Sequence, residues 1–305
     1  MQYIPHEYQK YATEKIIELP ACALFMEMGL GKTVSTLTAI NELIYDRFEV
    51  QKVLVIAPYR VADDTWTTEA DKWDHLKHLR VSKVLGTSGE RIAALEADAD
   101  IYVINRENVT WLVNLMGKEW PFEMIVVDEL SSFKSNSAKR FKSLRIVRPL
   151  ARRFVGLTGT PAPNGLLDLW PQVYLIDRGE RLGKTYTGYK DRYFLPDRRN
   201  GFVVYSWTPK EGAKEAIEQK LSDICISMKA DDYLNLPAQI VNDVYVSMDR
   251  HEMRKYRELE KEKLLELDGK EITALSAAAV WGKLLQLANG AAYDLSLIHI
   301  SEPTR

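Results

Sequence analysis

The run Gly29-Leu30-Gly31-Lys32-Thr33 sets a lysine and a threonine directly after two glycines. An ammonium neutralises phosphate oxygens and a threonine hydroxyl ligates a divalent cation. Glycines let backbone N–H groups close on a phosphate. The usual phosphate loop opens with a glycine at the position that Met26 holds here. A second cluster, Asp128-Glu129, pairs two carboxylates. In phosphoryl transfer the first would hold Mg²⁺, and the second would orient and deprotonate the attacking water. A lone acidic pair is usually a solvated turn. This one closes an apolar strand downstream of a phosphate loop, which favours the catalytic reading.

These residues need elements to hold them. Ala21–Phe25 is an apolar run of strand length, and Val34, Leu37, Ile40, Leu43 and Ile44 recur at helical spacing up to Tyr45. Strand, loop and helix N-terminus together form an anion site. Further strands are expected at Lys52–Ala57, Ile101–Ile104, Met124–Val127 and Phe154–Leu157. Strands alternating with helices behind a phosphate loop predict an α/β fold: a P-loop NTPase with a parallel sheet and helices on both faces. Ligands of such sheets collect at the strands' C-terminal ends, which makes Pro58-Tyr59-Arg60 a ligand-loop candidate. Thr158-Gly159-Thr160 ends the Phe154 strand, and its hydroxyls can bridge the acids to a moving segment. Gln9 precedes the first strand at a distance suited to adenine, whose edge an amide can read; by position alone it would be a helix-surface residue. Trp66 and Trp73, seven apart, share a helical face and read more readily as core than as a base-stacking platform. Residues 130–167 carry Lys134, Lys139, Arg140, Lys142, Arg145, Arg148, Arg152 and Arg153 with no acid. That run would suit a phosphate backbone or a solvated helix face equally.

The 305 residues suffice for a sizeable core, and 46% hydrophobic with 28% charged is ordinary for a globular protein. A net charge of −2 excludes a bulk polycation, so any nucleic-acid contact must be local. Cys22 and Cys225 lack a Cys-x-x-Cys spacing, which fits a reducing compartment and offers no zinc site. No apolar run is long enough to span a membrane, and no export signal opens the chain. A cytoplasmic protein of a bacterial or phage-infected cell is expected.

Taken together, the motifs resemble the Swi/Snf-type double-stranded DNA translocases of helicase superfamily two. Glu27-Met28-Gly29-Leu30-Gly31-Lys32-Thr33 is similar to that family's phosphate loop, which also lacks the first glycine. Ala57-Pro58 with Trp66, Glu69 and Lys72-Trp73 resembles its second motif, and Leu157-Thr158-Gly159-Thr160-Pro161 with Asn164 its third. Ser222–Pro237 resembles the segment joining its two lobes. The tetrad Asp128-Glu129-Leu130-Ser131 departs from the family by ending in serine rather than histidine, which bears on coupling. The resemblance implies ATP and Mg²⁺ as cofactors, duplex DNA as partner, and translocation as the work done. It implies adenine contact by Gln9, nucleotide contacts from Met28, Gly29, Leu30, Gly31, Lys32 and Thr33, and Mg²⁺ at Thr33 and Asp128. It further implies Lys32, Asp128 and Glu129 as catalytic residues, with Asn105-Arg106 joining Pro58, Tyr59 and Arg60 along the DNA path. A non-hydrolysing ATP-binding regulatory or interaction module, and an RNA helicase of the same superfamily, remain alternatives.

The implied organisation is a first RecA-like lobe over 1–175, a lobe-one insertion and connector over 176–237, and a helical arm with the start of lobe two over 238–294. Residues 295–305 match no element of the family and resemble translated adapter sequence. Without a second lobe and its arginine finger, this chain alone is expected to bind Mg-ATP weakly and hydrolyse it poorly. Within the later segments, Asn200-Gly201 predicts a hairpin turn, and Thr208-Pro209-Lys210-Glu211 predicts a capped helix to about Leu221. Ile240–Val246 reads as a strand and Asp249–Leu267 as one charged helix.

Overall fold

The computed structural model describes residues 1–200, 203–228, 233, 247–262, 264–267, 270–273, 277–289, 291–293 and 298–300. They fall into two compact units, Met1–Leu236 and Pro237–Arg305.

The first unit is built on one seven-stranded sheet. Its strands are β1 (Ala21–Met26), β2 (Val53–Ala57), β3 (Val81–Val84), β4 (Ile101–Asn105), β5 (Met124–Asp128), β6 (Arg153–Thr158) and, from far along the chain, Cys225–Met228. The order across the sheet is Cys225–Met228, β1, β6, β5, β2, β4, β3, with every neighbouring pair parallel. The five expected strands are present, and both additions are edge strands. The seventh strand carries the sheet beyond the expected boundary at 175, because Cys225–Met228 pairs along β1 from Ala23↔Cys225 to Met26↔Met228.

Central strands alternate between two apolar layers, as a pleated strand covered on both faces must. Leu54, Ile56, Ile125 and Val127 enter one core; Val53, Val55, Met124 and Val126 enter the other. Helices α1 (Glu7–Glu18), α2 (Lys32–Asn41) and α3 (Trp66–Lys72) supply the second layer. α4 (Ser88–Glu96), α5 (Val109–Met116), α6 (Lys139–Val147), α7 (Leu169–Asp177), α8 (Tyr186–Tyr193) and α9 (Ala213–Leu221) supply the first.

Two arginines of the basic run do structural work inside this frame. Arg153 is buried and donates to the carbonyls of Ile16, Ile17 and Leu19, so it caps the C-terminus of α1. Arg148 caps α7 in the same way, through Leu175 O at 2.5 Å and Ile176 O at 2.7 Å. A cation there satisfies orphan carbonyls and complements the helix dipole. The run is therefore not one continuous phosphate track.

Three local expectations are corrected. The segment from Thr208 does not start a helix: Trp207–Pro209 is strand β8 here, paired with β7 (Phe194–Pro196), and α9 begins only after Gly212, which turns the chain at φ 70°. Near Asn200, Arg199–Asn200 pairs antiparallel with Val203–Val204, and Asn200 is a strand residue opposite Val203 rather than a turn residue, while Gly201 lies outside the described residues. The charged helix spans Arg250–Glu262 rather than reaching Leu267, because Leu264–Leu267 pairs antiparallel with Lys270–Thr273. In this second unit Leu259 packs with Val280 and Leu284 of the helix Ala277–Ala288. The Ile240–Val246 strand lies outside the described residues.

Candidate nucleotide-binding site

The sheet order sets the site. β6 lies between β1, which feeds the glycine loop, and β5, which ends in the acids; Phe25 is opposite Thr158 and Asp128 opposite Leu157. The glycine loop, Asp128-Glu129 and Thr158 therefore meet at one edge.

The glycines earn their place by geometry. Gly29 (φ 84°) and Gly31 (φ 75°) are left-handed, a region that costs L residues with a Cβ roughly 1–2 kcal/mol. At Gly31 a Cβ would also collide with Gln9 Nε2. α2 then starts at Lys32, aiming its N-terminal N–H groups into a cleft of about 520 Å³ lined by Gln9, Gly29, Gly31, Lys32, Thr33 and Trp73. Lys32 Nζ donates to the carbonyls of Met26 at 2.8 Å and Glu27 at 3.1 Å. Burial pulls its pKa below the ordinary lysine range, against the attraction of Asp128 and Glu129.

Gln9 is no surface residue. It is buried and seated over the loop. Its Oε1 accepts from His6 N at 3.0 Å and its Nε2 donates to Leu30 O at 3.4 Å. Tyr3 packs edge-on against Trp73, with ring centroids 5.1 Å apart, at the same end of the cleft. Trp66 and Trp73 do not share a helical face, because α3 stops at Lys72 and Trp73 turns extended. Trp66 is core, as expected, while Trp73 borders the cleft and donates to Glu69 at 2.8 Å.

Each acid has its own donors. Asp128 Oδ2 accepts from Trp66 Nε1 at 3.1 Å. Burial pushes the Asp128 carboxyl up, and the Trp66 hydrogen bond and Lys32 oppose that shift. Glu129 sits at φ 58°, a strained left-handed turn for a non-glycine residue, and its Oε1 accepts from Thr158 Oγ1 at 3.0 Å and from Ser131 Oγ. Thr158 Oγ1 in turn accepts the Thr160 N–H at 3.2 Å. Gly156 leaves room for Leu130 beside the acids, where a Cβ would strike Leu130 Cδ2. The Trp66 contact carries no sequence signal, since neither short-range spacing nor a motif links an indole to an acid 62 positions away.

The remaining candidates lie on the neighbouring strands. Ala57 is opposite Asn105, so Pro58-Tyr59-Arg60 and Asn105-Arg106 emerge side by side at the C-terminal edge. Tyr59 and Arg60 are exposed. Asn105 is turned inward, donating to Glu107 at 3.1 Å and accepting from Asn108 at 2.6 Å, and Arg106 pairs with Glu107 at 2.8 Å.

A family model described as the SNF2-related domain matches residues 8–290. Protein p41 of Acyrthosiphon pisum secondary endosymbiont phage 1 is 38% identical over 298 residues, covering 96% of this chain and 65% of that protein. The DNA annealing helicase and endonuclease ZRANB3 of Bos taurus is 28% identical over 72% of this chain and 20% of its own length. Among solved structures, the Sulfolobus solfataricus SWI2/SNF2 ATPase core in complex with dsDNA superposes with a TM-score of 0.62 at 21% identity, covering 95% of this chain and 58% of that one. The chain thus spans less than two thirds of each of these proteins. Its seven-stranded sheet has the fold of that ATPase core, and with a family model matched over nearly its whole length, the chain belongs to the SNF2-related family.

Proposed function

We propose that this chain is the ATP-binding lobe of a DNA-dependent motor that hydrolyses ATP with Mg²⁺ and couples the reaction to movement along duplex DNA. The observation that carries the reading is the Thr158–Glu129 hydrogen bond, made by the strand wedged between the glycine loop and the acids. It joins the water-activating carboxylate to the Thr158-Gly159-Thr160 segment, which is what coupling requires. A passive nucleotide-binding module has no use for Glu129 in that position.

In this reading the loop N–H groups and Lys32 hold the phosphates, and Gln9 reads the adenine edge. Glu129 orients the attacking water and takes its proton. The donor set fits Mg²⁺. Among the described residues no group of three or more acids, histidines or cysteines could form a closed metal site, whereas Thr33 at the cleft and Asp128 offer two hard oxygen ligands. Mg²⁺ is held in this manner, by one or two protein oxygens with phosphate and water completing the shell. When bound it neutralises charge developing on the phosphate oxygens. Tyr59, Arg60 and Arg106 supply the DNA-facing surface, with Asn105 bracing the loop from within. Duplex DNA is favoured over RNA because the solved SWI2/SNF2 core was captured with dsDNA. A second RecA-like lobe completes the catalytic centre with an arginine finger, worth about 10³–10⁵ in rate.

Titration of the chain with a fluorescent ATP analogue tests the site. Binding that disappears in Lys32→Ala is expected. Binding that survives the substitution unchanged would reject the cleft as the nucleotide site.

A further inference from the structure

Asp128 does not aim itself. Its carboxylate ends β5, and two side-chain torsions separate it from the backbone. What fixes it is an indole brought from another part of the chain. β2 leads through Pro58-Tyr59-Arg60 into a π-helical turn, Val61–Thr65, and that turn delivers Trp66 as the first residue of α3. Single π turns recur where a helix must re-aim a side chain at a functional site. Trp66 is fully buried, with no exposed surface. A buried indole N–H must find an acceptor, and this one donates to Asp128 Oδ2 at 3.1 Å. Packing alone would be met by Phe or Leu at that place. An indole donates and never accepts, so it orients the carboxylate and favours its charged form against burial.

We propose that Trp66 is the positioning residue of the divalent-cation site, its N–H holding the Asp128 carboxylate in the orientation that ligates the metal. This rests on the nucleotide-site reading above and goes beyond it by assigning a function to a side chain whose type and burial would otherwise mark it as core. The partner of a metal-ligating carboxylate acts on affinity through orientation, and losing such a partner typically weakens metal binding about 10–100-fold.

The test is Mn²⁺ titration of the ADP-bound chain, read by electron paramagnetic resonance, in wild type, Trp66→Phe, Asp128→Asn and the double variant. ADP affinity without metal is measured on the same samples. Trp66→Phe is expected to weaken Mn²⁺ about 10–100-fold and to leave metal-free ADP binding at the wild-type level. On the Asp128→Asn background it should produce no further loss, since the metal-ligating carboxylate that the indole would orient is already gone. An indole that only fills space would instead lower metal-free ADP binding too, and its effect would add to that of Asp128→Asn. Either of those results, or unchanged Mn²⁺ affinity in a folded Trp66→Phe, overturns the proposal. Should the phenylalanine variant fail to fold, 3-benzothienylalanine placed at position 66 keeps the ring shape and replaces N–H by sulfur. The same loss of Mn²⁺ affinity is then expected, and its absence is equally fatal. A wild-type chain that binds neither ADP nor Mn²⁺ would instead bring down the nucleotide-site reading.

Discussion

Gly31→Ala and Gly29→Ala make a matched pair whose difference isolates one contact. Both positions are left-handed, at φ 75° and 84°. Alanine at either costs about 1–2 kcal/mol in backbone strain. At Gly29 nothing lies within 4 Å of the new Cβ, so the strain is the whole effect. At Gly31 the Cβ runs into Gln9 Nε2 and meets Val34 Cγ1 at 3.3 Å. Gln9 is buried and tied to His6 N and Leu30 O, so it cannot simply swing into solvent. Expelling it removes these two hydrogen bonds, each worth about 1 kcal/mol net, along with the longer one from Tyr3 Oη at 3.5 Å. Gly31→Ala should therefore destabilise the chain by roughly 3–4 kcal/mol, against 1–2 for Gly29→Ala. The functional difference is sharper. With Gln9 displaced, adenine loses its reader, and the ATP-over-GTP preference should fall about tenfold, the factor that 1.4 kcal/mol supplies. Gly29→Ala should change affinity for both nucleotides alike. The assay is competition of ATP and GTP against a fluorescent analogue, with a thermal melt on the same protein. An unchanged ATP:GTP ratio in Gly31→Ala, or the same change in both variants, would refute the placement of Gln9 at the base.

Thr158→Val keeps shape and removes the hydroxyl between Thr160 and Glu129. Single-turnover phosphate release should fall about 10–100-fold, a loss of roughly 1.4–2.7 kcal/mol of barrier lowering, with nucleotide affinity unchanged. Stability should barely move, since Ser131 still donates to Glu129 and the exposed Thr160 N–H can turn to water. Asp100 supplies a pH test. Burial alone would raise its carboxyl, but the Arg80 guanidinium, the Arg80 backbone N–H and the Tyr45 hydroxyl outweigh burial and hold it below the usual range. A depressed folded-state pKa contributes stability above the unfolded value of about 3.9, and that stability drains away as pH falls through the folded value. Denaturant melts should steepen in their pH dependence below about pH 4. Asp100→Asn should cost about 1–3 kcal/mol at neutral pH and flatten that acid slope.

Much of this site is written in short-range pattern. The glycine loop, its flanking strand and helix, and the acids at the end of β5 are all local: apolar runs bury on both faces, and glycine, lysine and threonine sit where a helix begins. What local pattern hides is what depends on a neighbour. β3 and Cys225–Met228 are sheet edges in which one residue of four is buried, Val84 and Met228, so neither shows a continuous apolar run. Thr208-Pro209 carries a capping pattern, yet pairing with β7 overrides it. Arg148 and Arg153 look like surface charge until α7 and α1 end against them. Trp66 reads correctly as core, but its N–H partner is set by how β2 and β5 lie side by side in the sheet.

The central claim, that Glu129 drives hydrolysis under the control of duplex DNA, is met most directly by phosphate release from the protein that carries this chain together with a second RecA-like lobe. It would be measured with and without duplex DNA, alongside Glu129→Gln. The account predicts turnover that rises with duplex DNA, rises far less with RNA, and vanishes in Glu129→Gln while ATP still binds. ATP binding with no DNA-stimulated turnover, or turnover that survives Glu129→Gln, would contradict it.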